Sequence, residues 1–378
     1  MMKRFVVLFI LLLSINKLTG SEVVKVTLSD GETIEGMLNM PSDKGKVKML
    51  VVFVHGTGPN TYLNKRKFGE YDFNYFDLFA SELNKSGIAF FTYNRRGVTI
   101  GEKPPYFDSV DSVKYLKYLP LTESEDIETM VTELRKRREL KKSKIGLLGA
   151  SEGTMLATLV ADRKKVRIDD LFLFGYANDN LFDIIKWQFS GVSSMMNLKK
   201  YFDTDGDYKI TKTEYESPDT GAVLGRTKVL QNSKFEQLDI VKDSIIDAKD
   251  FASRTTPFYN YLLQMTEAGN DAWIWKNYFR VTSAWLKAHF SLEPNKTRLL
   301  RIDIPVFIIH GTEDANVPVG GVTDIQTKFR ESGKTNLQCT IVEGHNHDLN
   351  YQDWIYKKQI SKGLQLLFDT IEQQSSKK

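Results

Sequence analysis

Ser151 stands in Gly149-Ala150-Ser151-Glu152-Gly153, between a short apolar run, Ile145 to Leu148, and a helix-forming stretch, Thr154 to Ala161. An apolar run with glycine at its edges reads as a buried strand. A strand that passes at once into a helix must turn sharply. A serine at the tip of that turn holds its hydroxyl clear of the sheet and near the positive end of the helix. Any side chain at Gly149 or Gly153 would crowd the neighbouring strand or helix. Such a hydroxyl becomes a nucleophile when a base takes its proton. Without a base the motif is a tight turn with a capping serine. A carboxylate and a histidine follow two later apolar runs. Glu313 and Asp314 come after Ile304 to Ile309, and His345 and His347 come after Leu337 to Val342. Upstream, His55-Gly56-Thr57-Gly58-Pro59 ends the β-branched run Val47 to Val54. Two glycines there let the backbone fold back with free N–H groups, as an oxyanion requires.

The elements around these residues alternate. Val23 to Leu28 and Thr33 to Met40 flank an Asp-Gly turn and read as a hairpin. Val47 to Val54, Ile88 to Tyr93, Ile168 to Gly175, Ile304 to Ile309 and Leu337 to Val342 read as strands. Phe73 to Ser86, Thr122 to Leu140, Thr323 to Ser332 and Asp353 to Glu372 read as helices. Arg95 and Arg96 follow a strand in a loop, where they either contact substrate or, more simply, form structural ion pairs. Between about Asn178 and Leu300 the alternation stops, and the chain is aromatic-rich and more helical. The expected organisation is a leader over 1–20, a core over 21–177 and 301–378, and an inserted cap over 178–300.

With nucleophile, acid and histidine in that order, each after a strand, the chain resembles the α/β-hydrolase family. The matching pieces are His55-Gly56, Gly149 to Gly153, Gly311 to Pro318 and Gly344 to His347. Within the family, HGTGP and the later RRG are similar to the secreted esterase, dienelactone-hydrolase-like or acyl-peptidase-like branch. The resemblance implies a mostly parallel central sheet flanked by helices, with a mainly helical cap inserted. It implies Asp314 rather than Glu313 as the acid, and His347 rather than His345 as the base. It places the oxyanion donors at the amides of Thr57 and Glu152. The family often has Gly where Thr154 stands and Asp where Asn94 stands, and Ala150 replaces a larger residue. These departures weaken assignment to one subfamily, and to the peptidases in particular.

The insertion carries a second pattern. Asp203, Asp205, Asp207, Thr211 and Glu214 stand at positions 1, 3, 5, 9 and 12 of an EF-hand-like loop over 203–214, with Ile210 at position 8. Lys209 would offer only its carbonyl. Tyr208 stands where glycine normally makes the turn. The flanking helix is expected over Phe189 to Phe202. A degraded second loop, with Asp239, Asp243, Asp247 and Asp250 and an apolar Val241 at position 3, reads as a packing partner that binds weakly or not at all. Calcium is the expected ion, in a structural role, and no cofactor is expected for catalysis.

Lys3 and Arg4 followed by the apolar run Phe5 to Leu13 form a signal-peptide pattern. The run is too short to span a membrane comfortably. The formal charge is +4, and most of it belongs to Lys3, Arg4 and Lys17, which argues against a nucleic-acid partner. The single cysteine, Cys339, cannot close an internal disulfide. The expectation is a secreted or periplasmic serine hydrolase cleaving carboxylic esters of a small-molecule or acyl substrate. The alternatives are a peptidase or other acyl hydrolase on the same triad, or a non-catalytic calcium-binding interaction protein.

Overall fold

The computed structural model describes residues 20–43 and 47–377. Apart from Gly20, the expected leader over 1–20 lies outside the described residues. Eight strands form the main sheet: β1 (Ser21–Thr27), β2 (Thr33–Asn39), β3 (Met49–Val54), β4 (Ile88–Tyr93), β5 (Lys144–Ala150), β6 (Asp170–Phe174), β7 (Val306–Gly311) and β8 (Leu337–Val342). Their order is β1-β2-β4-β3-β5-β6-β7-β8. β2 pairs antiparallel with both β1 and β4. All pairs from β4 to β8 are parallel. Every residue of β3, β4, β6 and β7 is buried. Helices on both faces leave such strands no polar side, which is why apolar residues dominate them.

Helices α1 (Phe76–Lys85), α2 (Pro120–Arg135) and α3 (Glu152–Arg163) alternate with the early strands. A mainly helical insertion then separates β6 from β7. Its longer helices are α4 (Leu181–Gln188), α5 (Val192–Phe202), α6 (Ala248–Glu267), α7 (Asp271–Asn277) and α8 (Ser283–Phe290). α9 (Gly320–Glu331) and α10 (Lys362–Ser376) close the core. Ile127, Leu156 and Val322 from α2, α3 and α9 pack on one face of the sheet. Phe79 and Leu367 from α1 and α10 pack on the other.

The elements depart from the sequence expectation in several places, and α2 ends at Arg135 instead of running to Leu140. The closing helix expected over 353–372 is two helices, Gln352–Lys357 and α10, broken where Lys358 turns left-handed (φ 54°). The helix expected from Phe189 starts only at Val192, after Gly191 (φ 85°). Residues near Phe73 belong to a hairpin, Lys65–Phe68 with Tyr71–Asn74, not to the start of α1. A further hairpin joins Val98–Ile100 to Asp108–Val110.

Candidate active site

Ser151 sits between the end of β5 and the start of α3 with φ 57° and ψ −124°. Those angles suit glycine, and a serine holding them is strained. The first turn of α3 lies hard against the end of β3. A Cβ on Gly153 would stand 2.0 Å from the Val54 carbonyl oxygen, so only glycine fits. Among the described residues the Ser151 hydroxyl has no hydrogen-bond partner.

His347 follows β8 and Asp314 follows β7. His347 Nδ1 lies 2.7 Å from Asp314 Oδ2. The other carboxylate oxygen accepts the amides of Asn316 (2.8 Å) and Val317 (2.9 Å). Burial raises the Asp314 pKa, but His347, His310 and these amides outweigh it, and the group stays below the ordinary carboxylate range. An ionised Asp314 can only accept, so His347 carries its proton on Nδ1 and leaves Nε2 bare. Burial disfavours the imidazolium of His347, but the Asp314 carboxylate overcomes this and raises its pKa. The ring lies on Gly175, where a Cβ would come within 2.7 Å of Cε1. His345, the rival histidine, faces away: its Nδ1 meets Glu343 O and its Nε2 accepts the Gly363 amide.

Neither the Thr57 nor the Glu152 amide has a hydrogen-bond partner among the described residues, while the carbonyls around them are held. Arg95 donates to Gly56 O (2.6 Å), Gly58 O (2.7 Å) and His55 O (3.1 Å). Asn60 donates to Gly56 O and Gly58 O. Thr57, Ser151, Glu152 and His347 line one cavity of about 230 Å³. Its remaining wall is largely apolar and includes Met155, Leu181, Ile184 and Val317.

The sequence reading missed a buried polar cluster behind this cavity. Glu152 was singled out for its amide, yet its side chain is also enclosed. It accepts from Tyr118 Oη, Trp285 Nε1 and Arg95 Nη2, and pairs with His289 Nε2 at 2.8 Å. Arg95 also pairs with Glu123 at 2.9 Å, and its guanidinium lies 4.2 Å from the centre of the Tyr118 ring. Arg96 instead pairs with Asp126 and Asp30 on the far side of the loop. Both arginines therefore make ion pairs with the fold. Burial raises the Glu152 pKa, but Arg95 and His289 hold it at about 2. For Glu123 burial wins against Arg95 and pushes the group up to about 7. One cation faces two buried carboxylates, and Glu123 is the one that takes up a proton first.

His310 also escaped the sequence reading. Its Nδ1 accepts the Tyr176 amide, so its proton sits on Nε2, facing Val317 O (3.2 Å) and Asp314 Oδ2 (3.4 Å). Its position directly ahead of Gly311 was the only available signal.

In the insertion, ligand atoms of Asp203, Asp205 and Glu214 lie within 4.8 Å of one another. Asp207 is outside that trio and accepts the Lys209 amide. The Thr211 side chain forms a capping box with Glu214. Tyr208 adopts the left-handed turn (φ 62°) that glycine would otherwise make. The second loop repeats the first. Asp239 accepts three following amides as Asp203 accepts two, and Asp250 accepts Ile240 N and Val241 N. Ile210 of one loop pairs antiparallel with Ile246 of the other. The helix entering the first loop also touches the acid loop: Ser193 Oγ donates to Ala315 O, and Lys199 Nζ lies 3.8 Å from Glu313.

Residues 50–208 match the family model described as the alpha/beta hydrolase fold. The chain has the α/β-hydrolase fold. No curated protein matches the sequence. Among solved structures the chain is similar to a thermostable carboxyl esterase from Bacillus coagulans, at 14% identity and TM-score 0.53, over 94% of this chain and 99% of that one. It is similar to a lipase in its open form at 14% identity and TM-score 0.52, over 95% of this chain and 100% of that one. DcsB in complex with a substrate analogue is a third, at 16% identity and TM-score 0.50, over 94% of this chain and 99% of that one. At such identities these likenesses speak for the fold alone. No helix among the described residues is long and apolar enough to cross a membrane.

Proposed function

We propose that the chain is a serine hydrolase that cleaves carboxylic esters through an acyl-enzyme. The observation that carries this is the His347–Asp314 contact at 2.7 Å, in a cavity shared with Ser151 and two unpartnered amides. Ser151 Oγ bonds to the ester carbonyl carbon as its proton passes to His347 Nε2. The carbonyl electrons move onto oxygen, held by the Thr57 and Glu152 amides. The bond to the alcohol breaks, and His347 returns the proton to the departing oxygen. Water repeats the sequence and releases the acid. A fluorophosphonate probe should label the purified protein on the Ser151 peptide. The labelling rate should rise with pH as His347 loses its proton, on a limb centred above the ordinary histidine range, because Asp314 raises that pKa. Folded protein that takes no label would sink this reading.

The N-terminal sequence supports secretion or a periplasmic location. The acidic trio and the paired loops support a structural calcium in the insertion, where Asp203, Asp205 and Glu214 would supply the carboxylate oxygens. Oxygen donors suit a hard cation of this kind. For sites of about 10⁻⁴ to 10⁻³ M, calcium at about 10 mM should stabilise the fold by about 1.4–2.7 kcal/mol. A calorimetric scan with calcium, against one with chelator, measures this directly. Glu214→Gln should erase the difference, and an equal melting temperature in both scans would remove the ion from the reading.

A further inference from the structure

The cavity wall beside His347 carries a cation that the ester reading does not use. Arg66 lies on the Lys65–Phe68 strand of the hairpin and lines the cavity together with Asn64. Its guanidinium stacks 3.8 Å above the Tyr75 ring, a buried support. Stacking fixes the plane of the fork. Nε donates to Asn64 Oδ1 at 3.3 Å, and Nη1 donates to Asp348 at 3.3 Å. Nη2 has no partner among the described residues. Because Asn64 turns its oxygen toward Arg66, its Nδ2 is also left as a free donor. The pair with Asp348 is a single long contact between side chains that are 39% and 42% exposed. Such pairs contribute little and yield to a better acceptor.

The side of the cavity follows from the chemistry. His347 hands its proton to the departing oxygen, so the alcohol half of an ester lies beside its Nε2. Asp348 is the next residue, and Arg66 is bound to it. Resting on the hydrolase reading above, we propose that the preferred substrates are esters whose alcohol half bears a carboxylate, held by Arg66 and Asn64. The acyl half is apolar and lies against Met155, Leu181, Ile184 and Val317.

The test compares 4-acetoxybenzoate with its neutral counterpart 4-acetoxybenzamide. The ratio of kcat/KM for the acid over the amide, compared between wild type and variants, cancels intrinsic reactivity. Arg66→Gln should lower that ratio at least tenfold, and Arg66→Lys should recover part of it. Lys65→Gln, which removes a neighbouring cation held over Phe107, should leave the ratio unchanged. A ratio unmoved in Arg66→Gln, or moved equally in Lys65→Gln, overturns the proposal while leaving the hydrolase reading intact. If neither ester turns over, fluorophosphonate labelling decides the hydrolase reading, and calorimetric binding decides the anion site separately. There, wild type should bind 4-hydroxybenzoate at least tenfold more tightly than 4-hydroxybenzamide, a preference that Arg66→Gln abolishes. Equal binding of the two overturns the site.

Discussion

Replacing Ser151 by glycine should abolish ester turnover and raise the melting temperature in the same protein. Without the hydroxyl no acyl-enzyme forms, and kcat should fall by about 10⁴-fold or more. The stabilisation follows from the backbone. At φ 57° and ψ −124° Ser151 holds the conformation of the first central residue of a type II′ turn, which glycine prefers. Strain of that kind costs about 1–3 kcal/mol. Glycine brings back about 0.5–1 kcal/mol of unfolded-state entropy. The net gain is on the order of 1 kcal/mol, since the hydroxyl has no hydrogen bond to lose. Ser151→Ala should be equally inactive but keep the wild-type melting temperature, because alanine suffers the same strain. Nitrophenyl ester hydrolysis and differential scanning calorimetry on the three proteins separate the two effects. A glycine variant that melts lower would show that the turn stores no strain.

Arg95→Met should damage both stability and catalysis. It leaves the buried carboxylates of Glu152 and Glu123 without their cation, a loss of about 3–5 kcal/mol. It also removes three hydrogen bonds from the loop that presents the Thr57 amide, leaving Gly56 O and Gly58 O to Asn60 alone and His55 O without its donor. A donor that has drifted is worth much less to the oxyanion than to the substrate, so kcat should fall by about 10-fold or more while KM changes little. Arg95→Lys keeps the charge but not the fork. It should restore most of the melting temperature and little of kcat. Equal recovery of both would reduce Arg95 to an ordinary structural ion pair. Raising the pH should widen the stability gap between wild type and a Glu123→Gln variant in favour of the variant. The Glu123 carboxyl has a folded pKa near 7, above its unfolded value, so wild type loses stability as pH rises through that window.

The parts of the site that sequence reading reached are those where local pattern dictates structure. Continuous β-branched runs can only be strands buried on both faces, and the glycines around Ser151 and after His55 permit only sharp turns. The choice of His347 over His345 needed the family resemblance, because both follow the same strand. What stayed hidden was long-range pairing. Arg95, Glu123, Glu152 and His289 lie far apart in the chain and meet only because β4, α2, α3 and α8 converge, and no period in the sequence encodes that meeting. The hairpin that carries Arg66 was invisible for another reason. Lys65–Phe68 is charged and partly exposed, without the apolar alternation that announces a strand.

The helical insertion is not a detachable lid. His289 and Trp285 at its far end bond the Glu152 carboxylate next to Ser151, and Gln188 and Ser193 near its start bond the carbonyls after Asp314. Excising it to obtain a minimal core, or exchanging it for the insertion of a relative, would strip donors from beside both Ser151 and Asp314. Engineers who wish to alter what enters this cavity should therefore graft single side chains onto the existing insertion instead of transplanting the insertion whole.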